Sequence, residues 1–329
     1  MTMWKVSAGT AAVMGKKRLK SDAMPTTAYV MLGEDCQGNC SFCAQSRQSS
    51  GNKNYLSRIT WPQIAETEAA SAISAACAGG SFKRICLQVV NSQGSMAVTL
   101  QALSVLTAEG KGELLAPICA SNYIVNCDQA GELLAAGAEK VCLALDAASP
   151  AVFAAMKGGD FSLRRKLLSD CAATFPGRMA THLIIGLGET EKEAVQFLAD
   201  CLKEAITVGL FAFTPVAGTP LANRKPPEIG VYRRIQMAYY LLQKGFGYET
   251  ILFHGDRISG FNQVDILSVF ASGKAFETSG CKDCNRPYYN ERPGGTIYNY
   301  PRPLSDGEIL QAIRESGIGG EGQDALACC

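Results

Sequence analysis

A chain of 329 residues with 47% hydrophobic side chains and 31 basic against 30 acidic groups can bury a large core. It lacks the charge excess that nucleic-acid binding uses. No apolar run approaches the roughly 18 residues of a membrane span, and an N-terminus whose short apolar stretch precedes its basic cluster reverses the order of a secretory signal.

From about residue 26, short β-rich runs alternate with longer helical patterns. The predicted strands are 27–32 (TAYVML), 84–90 (RICLQVV), 114–120 (LLAPICA), 140–145 (KVCLAL), 181–186 (THLIIG), 210–216 (LFAFTPV), 250–254 (TILFH) and 274–279 (KAFETS). Helix candidates lie between them. WPQIAETEAASAISAACAGG stops at Gly79-Gly80, and TEKEAVQFLADCLKEAITVG opens with Thr190 and Glu193 at capping-box spacing. Eight strands alternating with helices predict an α/β fold, a (βα)8 barrel of the TIM type, with a doubly wound open sheet as the alternative. The expected division is an N-terminal extension over 1–25, the barrel over 26–284 and an irregular Pro, Tyr, Arg and Gly rich extension over 285–329.

Of the fourteen cysteines, seven stand singly, and the others group as CxxxCxxC, CxxC and a terminal CC. That is not a secreted disulfide framework; it predicts reduced thiols, metal and a cytoplasmic protein. In GEDCQGNCSFCAQS, Cys36, Cys40 and Cys43 fall within eight positions, with no fourth cysteine and no histidine beside them. Three thiolates can hold three irons of a 4Fe-4S cluster and leave the fourth iron open to a small molecule. A zinc knuckle short of one ligand, or chance clustering, are the other readings; zinc would want a nearby fourth donor, and the chain has only His182 and His254. The loop follows the first predicted strand, and loops after strands form the functional face of a parallel barrel.

Cys36, Cys40 and Cys43, with Phe42 just before the last, resemble the cluster motif of the radical S-adenosylmethionine superfamily. The resemblance implies that S-adenosylmethionine chelates the open iron and yields a 5'-deoxyadenosyl radical on reduction. LDAAS, LIIGLGET and VAGTPLAN extend the likeness to the biotin synthase family over roughly residues 30 to 282. On that comparison Asp146 binds the cofactor's ribose, although a helix N-cap is an equal reading of LDAAS. Ile184, Gly186, Gly188 and Glu189 match the turn that lines the adenosine, where glycines could also merely close a strand-to-helix turn.

The chain departs from that family at its second, sulfur-donating cluster. Cys86 and Cys119 match two of its three cysteines; Ala180 holds the third place, and Asp256, with Arg257 beside it, holds that of its arginine. Two asparagines that in that family contact substrate and cofactor are replaced here by Cys142 and Ala144. A new pair, Cys281 and Cys284, is expected at the barrel mouth facing the first cluster. With Cys86 and Cys119 it forms a candidate second iron-sulfur cluster; a redox-active CxxC, a cluster completed by Cys328 and Cys329, or a zinc site are the alternatives. Cys77, Cys127, Cys171 and Cys201 fall in helical stretches and are read as small buried hydrophobes.

CxxC followed by NRPYYNERPGG resembles the archaeal-type two-component lipoyl synthases. That resemblance implies insertion of sulfur into an octanoyl-lysine on a lipoyl carrier protein such as glycine cleavage H protein. It also implies a second synthase component and an electron donor such as ferredoxin, with neither nucleic acid nor membrane as partner. Arg286, Arg292, Tyr288 and Tyr289 would shape the mouth, or form a surface-packed loop. A radical mutase or methylase, another sulfur insertion, or a non-catalytic iron-sulfur carrier are the alternatives.

Overall fold

The computed structural model describes residues 2–110, 112–291 and 294–318. In chain order the elements are β1 (Met3–Val6), α1 (Ala8–Val13), β2 (Thr27–Leu32), β3 (Tyr55–Leu56), β4 (Ile59–Thr60), β5 (Gln63–Ala65), α2 (Glu66–Ala78), β6 (Arg84–Val89) and α3 (Ser95–Glu109). Then follow β7 (Ile118–Ser121), α4 (Cys127–Ala135), β8 (Lys140–Cys142), α5 (Pro150–Met156), α6 (Phe161–Thr174), β9 (Met179–Ile185), α7 (Glu191–Lys203) and β10 (Thr207–Ala212). The chain closes with α8 (Ile229–Gln243), β11 (Ile251–His254), β12 (Arg257–Phe261), α9 (Ile266–Val269) and α10 (Asp306–Ser316).

β2 is buried at every position, as expected of a strand covered on both faces. It pairs in parallel with β6, and the parallel series continues through β7, β8, β9 and β10. On its other edge β1 and then β5 add antiparallel, completing an eight-stranded sheet. The α/β class and barrel-type sheet therefore stand as expected, and the first six predicted strands match β2 and β6 to β10. Residues 3–13 belong to the sheet and its cover: Ser7 caps α1 by accepting from the Thr10 N–H, and the Thr10 hydroxyl accepts from the Tyr29 N–H of β2.

The last two predicted strands are corrected. Residues 251–254 form β11, which pairs only with β12 in a separate hairpin. Residues 274–276 form a 3-10 turn, followed by one isolated bridge from Glu277 to Tyr300. A left-handed Gly273 ahead of it and Gly280 behind it, at φ 68° and 116°, interrupt the run before a strand can propagate.

A strap over residues 279–289 closes the seam instead. Ser279 Oγ accepts from the Leu210 N–H at 3.0 Å, and Arg286 donates to the Leu210 carbonyl at 3.3 Å, both on β10. On the far side Asn285 Oδ1 accepts from the Thr26 N–H, the Asp283 carbonyl from the Thr26 hydroxyl, and the Lys282 carbonyl from Arg84 Nε. Thr27 and Arg84 are the first residues of β2 and β6, so the strap crosses the N-terminal ends of the strands.

α7 to α10 are tied by a buried ion pair. Glu191 accepts from Arg234 and from the Ile258 N–H, while Arg234 also donates to the Ser316 carbonyl. Replacing Glu191 with alanine strands a buried guanidinium, and a loss of about 3–5 kcal/mol in urea unfolding is expected. Asp170→Ala, which breaks the exposed pair with Lys166, should cost no more than about 0.5 kcal/mol. Among the described residues no helix is long and apolar enough to cross a membrane.

Candidate metal and cofactor site in the barrel bore

After β2 the chain turns at Gly33 (φ 82°) and folds the three-cysteine loop over the C-terminal ends of the strands. The Gln37 N–H bonds the Asn91 carbonyl beyond β6, and the Ser41 N–H bonds the Met156 carbonyl at the end of α5. Within the loop the Cys43 N–H reaches the Cys40 carbonyl and the Arg47 N–H reaches that of Gly38. A Cβ on Gly38 would stand 3.4 Å from Cys36 Sγ and 3.9 Å from Cys40 Sγ, so both sulfurs flank the space this glycine leaves open. Burial pushes the Cys40 thiol up to about 11 and the Cys43 thiol to about 12; loading a metal must displace their protons.

All three cysteines line a cavity of about 850 Å³. Two buried acceptors on its wall, Asn39 Oδ1 and Asn122 Oδ1, have no protein partner. The Asn122 amide nitrogen donates to the Thr99 hydroxyl at 2.9 Å, which fixes the orientation of its free oxygen. An orphaned buried acceptor costs on the order of 1–3 kcal/mol unless a water or ligand donor meets it.

Asp146 sits one step below. It is 8% exposed and held at φ 64° by a bridge to Leu183 on β9, a backbone conformation that costs a non-glycine residue energy and concentrates at functional sites. Its carboxylate accepts from Lys157 Nζ at 2.6 Å and lies 3.8 Å from His182 Nδ1. The N-cap reading of Asp146 is corrected: Ser149 is the N-cap of α5, with Pro150 in its first turn. Burial first, then Arg286 and Lys157, push His182 down to about 4 against the pull of Asp146, leaving a neutral imidazole at pH 7.

Beneath the loop runs a bore of about 270 Å³ lined by residues from each parallel strand and from the strap. Phe42, Phe211, Phe213 and Tyr289 supply much of its wall. At its lower end stand Cys86 on β6, Cys119 on β7, and Cys281 and Cys284 on the strap. Cys119 packs with Cys281, and the β6–β7 register sets Cys86 beside it. The neighbouring Cys119 thiol, helped by Arg84 and Lys140 against burial, draws Cys281 down to about 6. Gln88 donates its amide to Cys86 Sγ at 2.9 Å, and Tyr29 OH lies 3.3 Å from Cys284 Sγ. The four thiols thus come together, but the CxxC is not at the mouth. It lies near the N-terminal ends of the strands, opposite the first loop, because the strap enters across Thr26, Thr27 and Arg84. Cys328, Cys329 and Arg292 lie outside the described residues.

Among the described residues no three His, Cys, Asp or Glu side chains converge tightly enough for a single bound ion. A cubane takes one thiolate per iron around a cage, and so does not require the convergence that one tetrahedral zinc does.

Other expected residues fall elsewhere. Ile184 lines the bore, whereas Gly186, Gly188 and Glu189 shape the turn after β9. A Cβ on Gly186 would meet Pro227 at 2.9 Å, and Glu189 accepts from the Gly186 and Leu187 N–H groups. Asp256 and Arg257 lie at the β11–β12 turn; the arginine in the bore is Arg286, its guanidinium 3.9 Å from the Phe211 ring centroid. Tyr289 is buried against Tyr29 and Trp61, and Tyr288 bonds Asp22. Sequence reasoning passed over Lys157, Gln88 and Asn122. Only Asn122, a polar residue just beyond the strand end in CASN, carried a sequence signal.

No family model matches the chain, and no curated protein matches it. Solved structures do. The FeFe-hydrogenase maturase HydG from Carboxydothermus hydrogenoformans aligns with a TM-score of 0.53 at 14% identity, over 89% of this chain and 66% of its own. A second HydG maturase structure aligns at 0.53 and 10% identity, over 67% of this chain and 50% of its own. The chain shares their fold. It spans no more than about two thirds of the length of either maturase.

Proposed function

We propose that this protein is a radical S-adenosylmethionine enzyme, a lipoyl synthase component that inserts sulfur into the octanoyl chain of an octanoyl-lysine on a lipoyl carrier protein. The observation that carries this reading is the placement of two thiol groups at opposite ends of one apolar bore. Cys36, Cys40 and Cys43 would hold a 4Fe-4S cluster; Cys86, Cys119, Cys281 and Cys284 would hold the second. Bound together, the first cluster and S-adenosylmethionine supply a radical able to abstract hydrogen from an unactivated carbon, and the second supplies sulfide.

The chain's own residues do the rest. Asn39 and Asn122 offer acceptors to the amino groups of S-adenosylmethionine, and Asp146, oriented by Lys157, offers a carboxylate to its ribose hydroxyls. Phe42, Phe211, Phe213 and Tyr289 exclude water and favour an alkyl chain by about 0.8 kcal/mol per buried methylene. A carrier protein, a second synthase component, a ferredoxin-like donor and a cytoplasmic setting belong to the same proposal.

Incubating the anaerobically reconstituted protein with S-adenosylmethionine, a low-potential reductant and an octanoyl-lysine peptide should yield deoxyadenosine and a peptide heavier by sulfur. Absence of both products, with and without a partner synthase, overturns the proposal; deoxyadenosine with intact auxiliary sulfide points to a mutase or methylase. Asn122→Ala should weaken S-adenosylmethionine binding by up to about tenfold, one hydrogen bond's worth, as read by equilibrium dialysis.

A further inference from the structure

Cys142 also faces the bore. It is 1% exposed, but its setting differs from that of Cys77, Cys171 and Cys201, which are buried in helices among apolar side chains. Its side chain lines the cavity and packs with Cys119 and Cys281 against Ala180, and its sulfur lies 3.4 Å from His182 Nε2. The strand register sets Cys142 directly beside Ala180. Along the sheet the order runs from Tyr29 on β2, whose hydroxyl holds Cys284, through Cys86 and Cys119 to Cys142. Cys284 and Cys142 therefore stand on opposite flanks of the Cys86, Cys119 and Cys281 trio.

We infer that Cys142 is a fifth thiol ligand of the deep site, on the flank opposite Cys284, toward which a cluster seated on Cys86, Cys119 and Cys281 turns when Cys284 is lost. The inference rests on the proposed second cluster. A cubane has four irons, each taking one outer ligand, so five thiols are one more than a closed cluster uses. An iron that gives up a bridging sulfide keeps its cysteine but has an open coordination position, which a spare thiol beside it can fill.

The test uses the full chain with Cys36, Cys40 and Cys43 replaced by alanine, which leaves the deep site alone. After reconstitution this parent should bind about four irons. Adding Cys284→Ala should leave the iron content unchanged, with an electron paramagnetic resonance signal that added 2-mercaptoethanol does not shift. Adding Cys142→Ala as well should open one iron, so that 2-mercaptoethanol now shifts the signal. A shift already present in the Cys284→Ala protein, or none in the double variant, overturns the role of Cys142. A parent that binds no iron overturns the second cluster itself, and Cys142's role with it.

Discussion

Cys40→Ala is expected to reduce deoxyadenosine formation from S-adenosylmethionine to the level seen without protein. Two remaining thiolates cannot hold three corners of a cubane, and without the cluster nothing delivers an electron to the sulfonium. The same loss is expected of Cys36→Ala and Cys43→Ala. Cys40 lies on a loop held by backbone hydrogen bonds to Asn91 and Met156, so the substitution should leave the unfolding midpoint nearly unchanged. Total iron should fall by about half, since the deep site is untouched. Cleavage of S-adenosylmethionine by a well-folded Cys40→Ala protein would sink the assignment of this loop.

Replacing Cys86, Cys119 and Cys281 together with alanine should produce the opposite separation. Two thiols of the deep site, Cys142 and Cys284, are then left, too few for a cubane, and iron should fall from about eight per chain to about four. Deoxyadenosine formation should persist because the first loop sits at the other end of the bore, and its persistence also reports that the barrel still folds. Thiolation of the octanoyl-lysine peptide should disappear. Full iron content in the triple variant, or continued thiolation, would place the sulfur source elsewhere.

The two thiol groups were legible to different degrees. CxxxCxxC is a local pattern: three donors on one short loop share a site whatever the rest of the chain does. The deep group depends on strand register. Cys86 and Cys119 face each other because β6 and β7 pair Cys86 with Cys119, and periodicity alone does not state that alignment. The run 274–279 has the pattern of a strand whose end would point to the mouth, which is why the sequence places the CxxC there. Instead Gly273 and Gly280 turn the segment into a strap whose bonds to Thr26 and Arg84 draw it to the other end. His182, in a chain with only two histidines, carried no spacing signal; its place between Asp146 and Cys142 follows from its position on β9.

The α/β alternation, the six strand segments that become β2 and β6 to β10, the capping box at Thr190 and the three-cysteine loop are legible in the chain because each is a local pattern of neighbouring residues. The tertiary structure alone decided how the barrel closes, which cysteines meet in its bore, and that the two thiol groups face each other through an apolar channel. Those outcomes rest on strand pairing and on hydrogen bonds across more than a hundred residues, such as Thr26 to Asn285 and Arg84 to Lys282. Only the folded chain brings such partners into range.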